Sequence, residues 1–320
     1  MKKNRIIYNL TSRGLYSELF NLCLATVYAH HCRLDIKVNT WLWNSRLHKG
    51  WLDYFESTIE SCNNPFSAQD KVYIKEKPWI GKVYYKPHEF FSFYYRFLLN
   101  NIYSFIQPRD ILTKDVFEDM RSEHFIHKVL GDDAFNEMAT TFKKMYKLSK
   151  KTKRIISERR KELRLPHKYI GIHIRRGDKI TSQEMDDLHL DDYITTLLQH
   201  INICNNIYIA TDDANCIQYI KQKLGNQNIN IYYNNRNQCH GFNESEFNHA
   251  SKSSKYQETI NVLFDMEILI HAAFFIGTYT SNLSRVVPFF LGLNNCVSLD
   301  NDWNIINSLN NEVFNHNNKL

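Results

Sequence analysis

Apolar and polar positions alternate most regularly from Pro166 onward. Short apolar runs, "KYIGIHI", "NIYIAT", "INIYY", "FFIGTY" and "CVSL", are separated by amphipathic stretches around Ala214 to Leu224 and Tyr256 to Ala273. Strand-length runs between helix-length periods predict successive βαβ units, and hence a parallel, doubly wound α/β sheet. The first half opens in the same way. There "IIYNL", a turn at Ser12-Arg13-Gly14, the helix "GLYSELFNLCLATVYAHH" and the strand "LDIKV" read as one βαβ unit, followed by aromatic-rich stretches of mixed periodicity. Between the halves, Lys143 to Arg164 carries Met145, Leu148, Ile155, Ile156 and Leu163 as the stripe of one surface helix with a solvated basic face.

A chain of 320 residues exceeds the usual domain size of roughly 100–200. The expected division is an N-terminal α/β domain over 1–165, a Rossmann-like domain over 166–300 and a C-terminal tail over 301–320. The N-terminus has basic residues but no apolar run of signal-peptide length, and no stretch reaches about 18 apolar residues, so a soluble, cytoplasmic chain without a transmembrane segment is expected. Seven scattered cysteines without a Cys-x-x-Cys pair fit reduced thiols, and His30-His31-Cys32 has no second cluster to complete a metal site. The net charge of +6 concentrates in the basic segment, but no zinc finger, RNP motif or Gly-x-x-Gly loop accompanies it, so a nucleic-acid partner is not expected.

Candidate chemistry gathers where strands end, which is where doubly wound sheets bind ligands. In "YIGIHIRRGDK" alternation puts Ile170, Ile172 and Ile174 on one face and Tyr169, Gly171 and His173 on the other, delivering Arg175 and Arg176 to the strand end. A guanidinium fork suits a diphosphate; an Arg176–Asp178 pair closing the loop accounts for the same residues. "IYIATDD" ends in Asp212 and Asp213, which suit sugar hydroxyls or the cap of the next helix, and the missing spacer argues against a divalent metal. Asp265 stands on an apolar helix face, either as a hydrogen-bonded core acid or as an acceptor for the adjacent donors of guanine. Ser281, Asn282 and Ser284 open a helix whose N-terminus suits phosphate or needs only a cap. Gly14 at the first βα turn admits a ligand backbone or is plain turn geometry.

Together "HIRRGDK", "IYIATDD", "FDMEIL" and "FIGTYTSNLSRV" follow the order and approximate spacing of the catalytic domain of the α-1,6-fucosyltransferases, the core fucosyltransferases and their rhizobial relatives. The chain resembles that family over about Lys168 to Leu299, and more loosely in "SRGLYSELFNLCLATVYAHHCRLDI". The resemblance implies a GT-B-like fold of two Rossmann-like domains, the first on the acceptor side. It also implies an inverting, metal-independent transfer of L-fucose from GDP-β-L-fucose to a glycan hydroxyl, with no cofactor. Arg175 would contact the β-phosphate, His173 would lie near the nucleotide, Lys179 near the reacting centre, Asp212 and Asp213 on the nucleotide side, and Asp265 would read guanine. Gly14, Arg176, Asp178, Ser281, Asn282 and Arg285 complete the expected donor-binding set. The family's carboxylate base lies four residues after the lysine, where this chain has Gln183; one inserted residue makes Glu184 the base, with Asp186 and Asp187 as rivals. The membrane anchor, stem coiled coil and SH3-like domain of the animal enzymes are not read in this sequence, so their acceptor specificity is not carried over. A relative using another GDP-sugar, or a non-catalytic nucleotide- or glycan-binding module that has lost its base at Gln183, fits the same motifs.

Overall fold

The computed structural model describes residues 4–71, 74, 87–176, 188–234 and 241–305. Two compact units emerge, Met1–Lys150 with Ser251–Tyr256, and Lys151–Ala250 with Gln257–Leu320. The division falls at Lys150, fifteen residues before the expected boundary at 165, because the helix that follows joins the second unit.

Unit 1 contains β1 (Arg5–Asn9), α1 (Leu15–His31), β2 (Asp35–Asn39), β3 (Glu60–Cys62), α2 (Pro87–Ile106), β4 (Asp110–Leu112) and α3 (Ala134–Met145). Among the described residues its sheet has four parallel strands in the order β3-β2-β1-β4. The predicted βαβ unit forms, with Arg5 opposite Asp35 and Asn9 opposite Asn39. The residues that end β1 and β2, Asn9 and Asn39, are neutral and hydrogen-bonded within the unit. Asn39 donates to the Asn64 carbonyl (2.8 Å) and Ser67 Oγ (3.1 Å), and its Oδ1 accepts from the amides of Trp41 and Asn64 (3.1 Å each). Asn9 Oδ1 accepts from the Gln69 amide, and the Asn9 amide donates to Thr113 Oγ1. The charge at this edge is Arg13, 4.0 Å from the buried Glu18 and set over the Phe117 ring.

Unit 2 contains α4 (Lys150–Leu163, whose first residue ends unit 1), β5 (Ile170–Ile174), α5 (Leu190–Gln199), β6 (Asn206–Thr211), α6 (Ala214–Leu224), β7 (Asn230–Tyr233), α7 (Lys252–Leu269, whose residues to Tyr256 belong to unit 1), β8 (Phe274–Gly277), α8 (Asn282–Val286) and β9 (Cys296–Ser298). All the described pairings are parallel, in the order β7-β6-β5-β8-β9. In the unit's own chain order this is 3-2-1-4-5, the dinucleotide-fold arrangement, whose direction reverses between β5 and β8. The alternation along β5 holds. Ile170, Ile172 and Ile174 join a core with Tyr193 and Leu197 of α5 and Ile217 and Ile220 of α6. The opposite face lies close to α7: a β-carbon at Gly171 would stand 3.0 Å from Leu269 Cδ2, and Tyr169 Oη donates to the Ile268 carbonyl (2.8 Å).

Three expectations need correction. The basic segment is two helices, because the chain between α3 and α4 leaves the helix to bond elsewhere: Lys147 accepts from the Glu56 amide, Ser149 donates to Tyr54, and Leu148 is buried in a bridge with Phe55. The helix expected at Tyr256 to Ala273 runs from Lys252 to Leu269. The tail expected to begin at 301 instead starts as part of unit 2. Trp303 Nε1 donates to the Arg285 carbonyl (2.9 Å), its ring meets Phe289 edge-on, and Ile305 is buried.

Candidate active site

The direction change between β5 and β8 leaves a crevice at their carboxyl ends. On the β5 side, Arg175 Nη1 pairs with Asp212 Oδ2, and its guanidinium lies 5.1 Å from the centre of the Phe242 ring. Asp212 follows β6 and gathers three segments. Its Oδ1 accepts from the Arg176 amide (2.8 Å), its Oδ2 from the Phe242 amide (3.0 Å), and its carbonyl from the Gly241 amide (2.9 Å). The two aspartates therefore differ: one takes the capping role read from the sequence, the other a role the sequence reading did not give it. Asp213 caps α6 by accepting from the Asn215 amide (2.9 Å), whereas Asp212 orients the arginine. Arg176 turns the other way and donates to the Leu188 carbonyl (2.9 Å).

On the β8 side, His173 Nδ1 and Ser284 Oγ are 2.7 Å apart and both residues are buried, tying β5 to α8. Gly277 makes that approach possible, because a β-carbon there would stand 2.6 Å from the Phe275 ring and 2.9 Å from Ser284 Oγ. The turn that follows is built on Asp300. Its carboxylate accepts from the amides of Tyr279 (2.7 Å) and Thr280 (3.0 Å), from the hydroxyls of Thr280 (2.5 Å) and Ser298 (2.6 Å), and from the Asn301 amide. Burial acts to raise the Asp300 pKa, but the bonds from Ser298, Thr280 and Asn301 together outweigh it and hold the carboxyl below its usual value. Burial alone pushes the neighbouring Cys296 thiol up to about 12.

Ser281 stands at the N-cap of α8 without a side-chain cap bond, and Asn282 Oδ1 accepts from Arg285 Nη1 (3.2 Å). Arg285 departs from the expected ligand contact: fully buried, it donates Nη2 to the carbonyls of Asn304 (3.0 Å) and Ile305 (3.1 Å). The helix dipole expected here is short as well, since α8 has five residues before Pro288 begins a separate turn of four.

Asp265 is buried in α7, one turn above the Leu269 that touches Gly171, and so nearer the carboxyl edge of the sheet. Its Oδ1 accepts from Tyr208 Oη (2.7 Å) and Asn234 Nδ2 (3.4 Å), the hydrogen-bonded acid of the first alternative. Asn234 Oδ1 in turn accepts from Arg159 Nη2 (3.1 Å), which also reaches Asn261 (2.9 Å), with the guanidinium over the Phe264 ring. Gly14 lies in unit 1 at the start of α1, where an added β-carbon would meet nothing within 4 Å, so crowding does not require glycine there. Asp178, Lys179 and Glu184, with Gln183, Asp186 and Asp187, lie outside the described residues. Among the described residues no cluster of three His, Cys, Asp or Glu is arranged to hold a metal ion, and no helix is long and apolar enough to cross a membrane.

Sequence reasoning missed Asp300, Phe242 and the Arg159–Asn234 pair. Asp300 follows directly on "CVSL", so the rule that ligand-side residues follow strands would have found it. Asn234 follows directly on "INIYY" and is found by the same rule, whereas Phe242 carries no comparable signal, since its place depends on how the chain returns to Asp212.

Comparison with solved structures gives neighbours with the same architecture. Fucosyltransferase NodZ from Bradyrhizobium superposes with a TM-score of 0.52 at 13% identity, covering 91% of this chain and 94% of that one. POFUT1 in complex with GDP-fucose gives 0.54 at 9% identity, covering 94% and 98%. A point mutant of Arabidopsis thaliana FUT1 in complex with GDP gives 0.51 at 12% identity, covering 91% and 69%. The two parallel sheets and these neighbours make the fold GT-B, with two Rossmann-like domains. Residues 19–290 match the family model for alpha-(1,6)-fucosyltransferase N- and catalytic domains. That match spans most of the chain, which therefore belongs to the α-(1,6)-fucosyltransferase family and is a glycosyltransferase.

Proposed function

We propose that the protein transfers L-fucose from GDP-β-L-fucose to a glycan hydroxyl, with inversion at the sugar and without a metal ion. The observation that carries this reading is Arg175, a guanidinium set by Asp212 at the carboxyl end of β5, beside the direction change of a dinucleotide-type sheet. The family match and a NodZ structure soaked with GDP-fucose support the donor.

In the reaction a base takes the proton of the acceptor hydroxyl, whose oxygen attacks C1 of fucose. The bond from C1 to the β-phosphate oxygen breaks, and GDP leaves with the electron pair. Arg175 meets the charge that develops on the diphosphate, with two parallel N–H groups matched to its oxygens. The amides at the start of α8 add donors beside it, their turn held by Asp300. Glu184 is the base and Lys179 orients it. Asp265, steadied by Tyr208 and Asn234, accepts from the ring N–H and amino group of guanine.

The test is transfer of labelled fucose from GDP-fucose to a panel of glycans in excess chelator, with GDP-mannose run in parallel. Transfer from GDP-fucose alone, undiminished by chelator and giving the α-linked product, supports the reading. An absolute requirement for manganese or magnesium, preference for GDP-mannose, or retention of configuration overturns it.

A further inference from the structure

Helix α2 is oriented against the usual rule that apolar faces turn inward. Its buried side is mixed: Tyr103 packs with Ile7 and Leu112, and polar groups bond around it. Asn100 Nδ2 donates to the carbonyls of Phe66 (2.9 Å) and Ala68 (3.2 Å), Asn100 Oδ1 accepts from Gln69, and Tyr103 Oη donates to Asp110 (2.6 Å). Its outer side exposes Phe91, Tyr94, Leu98, Ile102, Phe105 and Ile106, with Phe105 88% and Phe91 65% accessible. At 3.6 residues per turn these six share an arc of about 120°. Tyr94, Leu98, Ile102 and Ile106 succeed one another every four residues, forming one continuous ridge about 18 Å long.

We propose that this stripe is a self-association surface, on which α2 of one copy packs across α2 of a second copy about a two-fold axis, the helices crossing at about 50°. Three observations favour that occupant. First, a ridge at four-residue spacing fits the groove of an identical helix, the commonest mode of helix–helix contact. Secondly, with exposures of 40–88% the stripe offers, for side chains of 150–250 Å² each, about 700 Å² per copy, close to the roughly 800 Å² of a standard interface. Thirdly, the stripe is uncharged. A two-fold axis sets each residue against its own kind, and here no like charges oppose each other. The charged member among the described side chains of α2 is Arg96, which turns aside to the Pro65 carbonyl and the Tyr95 ring. A helix lying on a lipid surface carries lysines and arginines along its polar face, and α2 offers no such row among its described side chains.

Sedimentation equilibrium of the full chain across the micromolar range tests this. The parent is expected to dimerise. Leu98→Glu and Ile102→Glu replace exposed side chains, so circular dichroism should stay unchanged while self-association weakens by about two orders of magnitude. Leu98 is near the midpoint of the stripe and therefore near the two-fold axis, so mixing Leu98→Glu with Leu98→Lys should restore a one-to-one dimer that neither variant forms alone. A parent that stays monomeric, a dimer that survives both glutamates, or a folded monomeric parent that binds phosphatidylserine vesicles through this stripe overturns the proposal.

Discussion

The carboxyl ends of the two sheets differ although the strands that form them are alike. In unit 1 the ends of β1 and β2 are closed by amides and hydroxyls that bond to one another: all four hydrogen-bonding positions of Asn39 are taken by its own unit. In unit 2 the same edge carries Arg175 with Asp212, His173 with Ser284, and Asp300 under a turn of backbone amides. A Rossmann-like sheet needs its strand ends satisfied, and neutral side chains suffice for that. Partly buried charge at such an edge adds desolvation cost, and unit 1 carries some of it in Arg13 beside Glu18; unit 2 differs in setting Arg175, His173 and the Asp300 turn together at the direction change of its sheet, where such sheets bind ligands.

If that contrast is real, changes at the two edges should separate activity from stability. The largest effect is expected in the segment that follows β5. If Glu184 is the base, Glu184→Gln should lower turnover by roughly 10²–10⁴ while GDP affinity stays near the parent's, because a general base contributes about that much and would act on the acceptor hydroxyl. Steady-state kinetics with separate GDP titration measures both; an active Glu184→Gln alongside a dead Asp186→Asn or Asp187→Asn would move the base to an aspartate.

Arg175→Lys should cost about 2.7–4 kcal/mol of transition-state stabilisation, since an ammonium cannot present two parallel donors. Near-normal kcat/KM in that variant removes Arg175 from the phosphate. At the other edge, Asn39→Ala should leave kcat unchanged per folded molecule but cost about 1–3 kcal/mol of stability, because it removes the bonds to the partly buried groups at Asn64 and Trp41 and to the buried Ser67 hydroxyl. Loss of activity with an unchanged Tm would put function in unit 1 as well.

The smallest effect concerns acid. The folded Asp300 carboxyl titrates below its unfolded value of about 3.9, so its contribution to stability is present above that value and is lost as pH falls through the folded pKa. Thermal melts of the parent and Asp300→Asn between pH 7 and about pH 2 should therefore converge on acidification below about pH 4. A difference that stays constant over that range contradicts this role for the turn.

Much of unit 2 was legible because its strands are short apolar runs separated by amphipathic stretches, and α6 opens on the Asp213 cap. β6 and α6 lie where periodicity places them, and β5 presents the expected faces. What sequence could not show depends on distant partners. The break between α3 and α4 follows from bonds to Tyr54 and Glu56, and no local residue marks it. The fully buried Arg285 looks in sequence like any arginine near a helix N-terminus; only the return of the chain at Asn304 and Ile305 explains it. The exposed aromatic side of α2 was hidden for the same reason, since in sequence the run shows only mixed periodicity.

The most direct measurement is calorimetric titration of GDP and UDP into the parent, Arg175→Lys, Asp265→Asn and Asn39→Ala. GDP should bind the parent and Asn39→Ala alike and Arg175→Lys much more weakly, while UDP binds the parent poorly and Asp265→Asn loses the preference. Equal binding of GDP and UDP to the parent, or GDP binding that Asn39→Ala weakens and Arg175→Lys does not, would contradict the assignment of the nucleotide to the charged edge of unit 2.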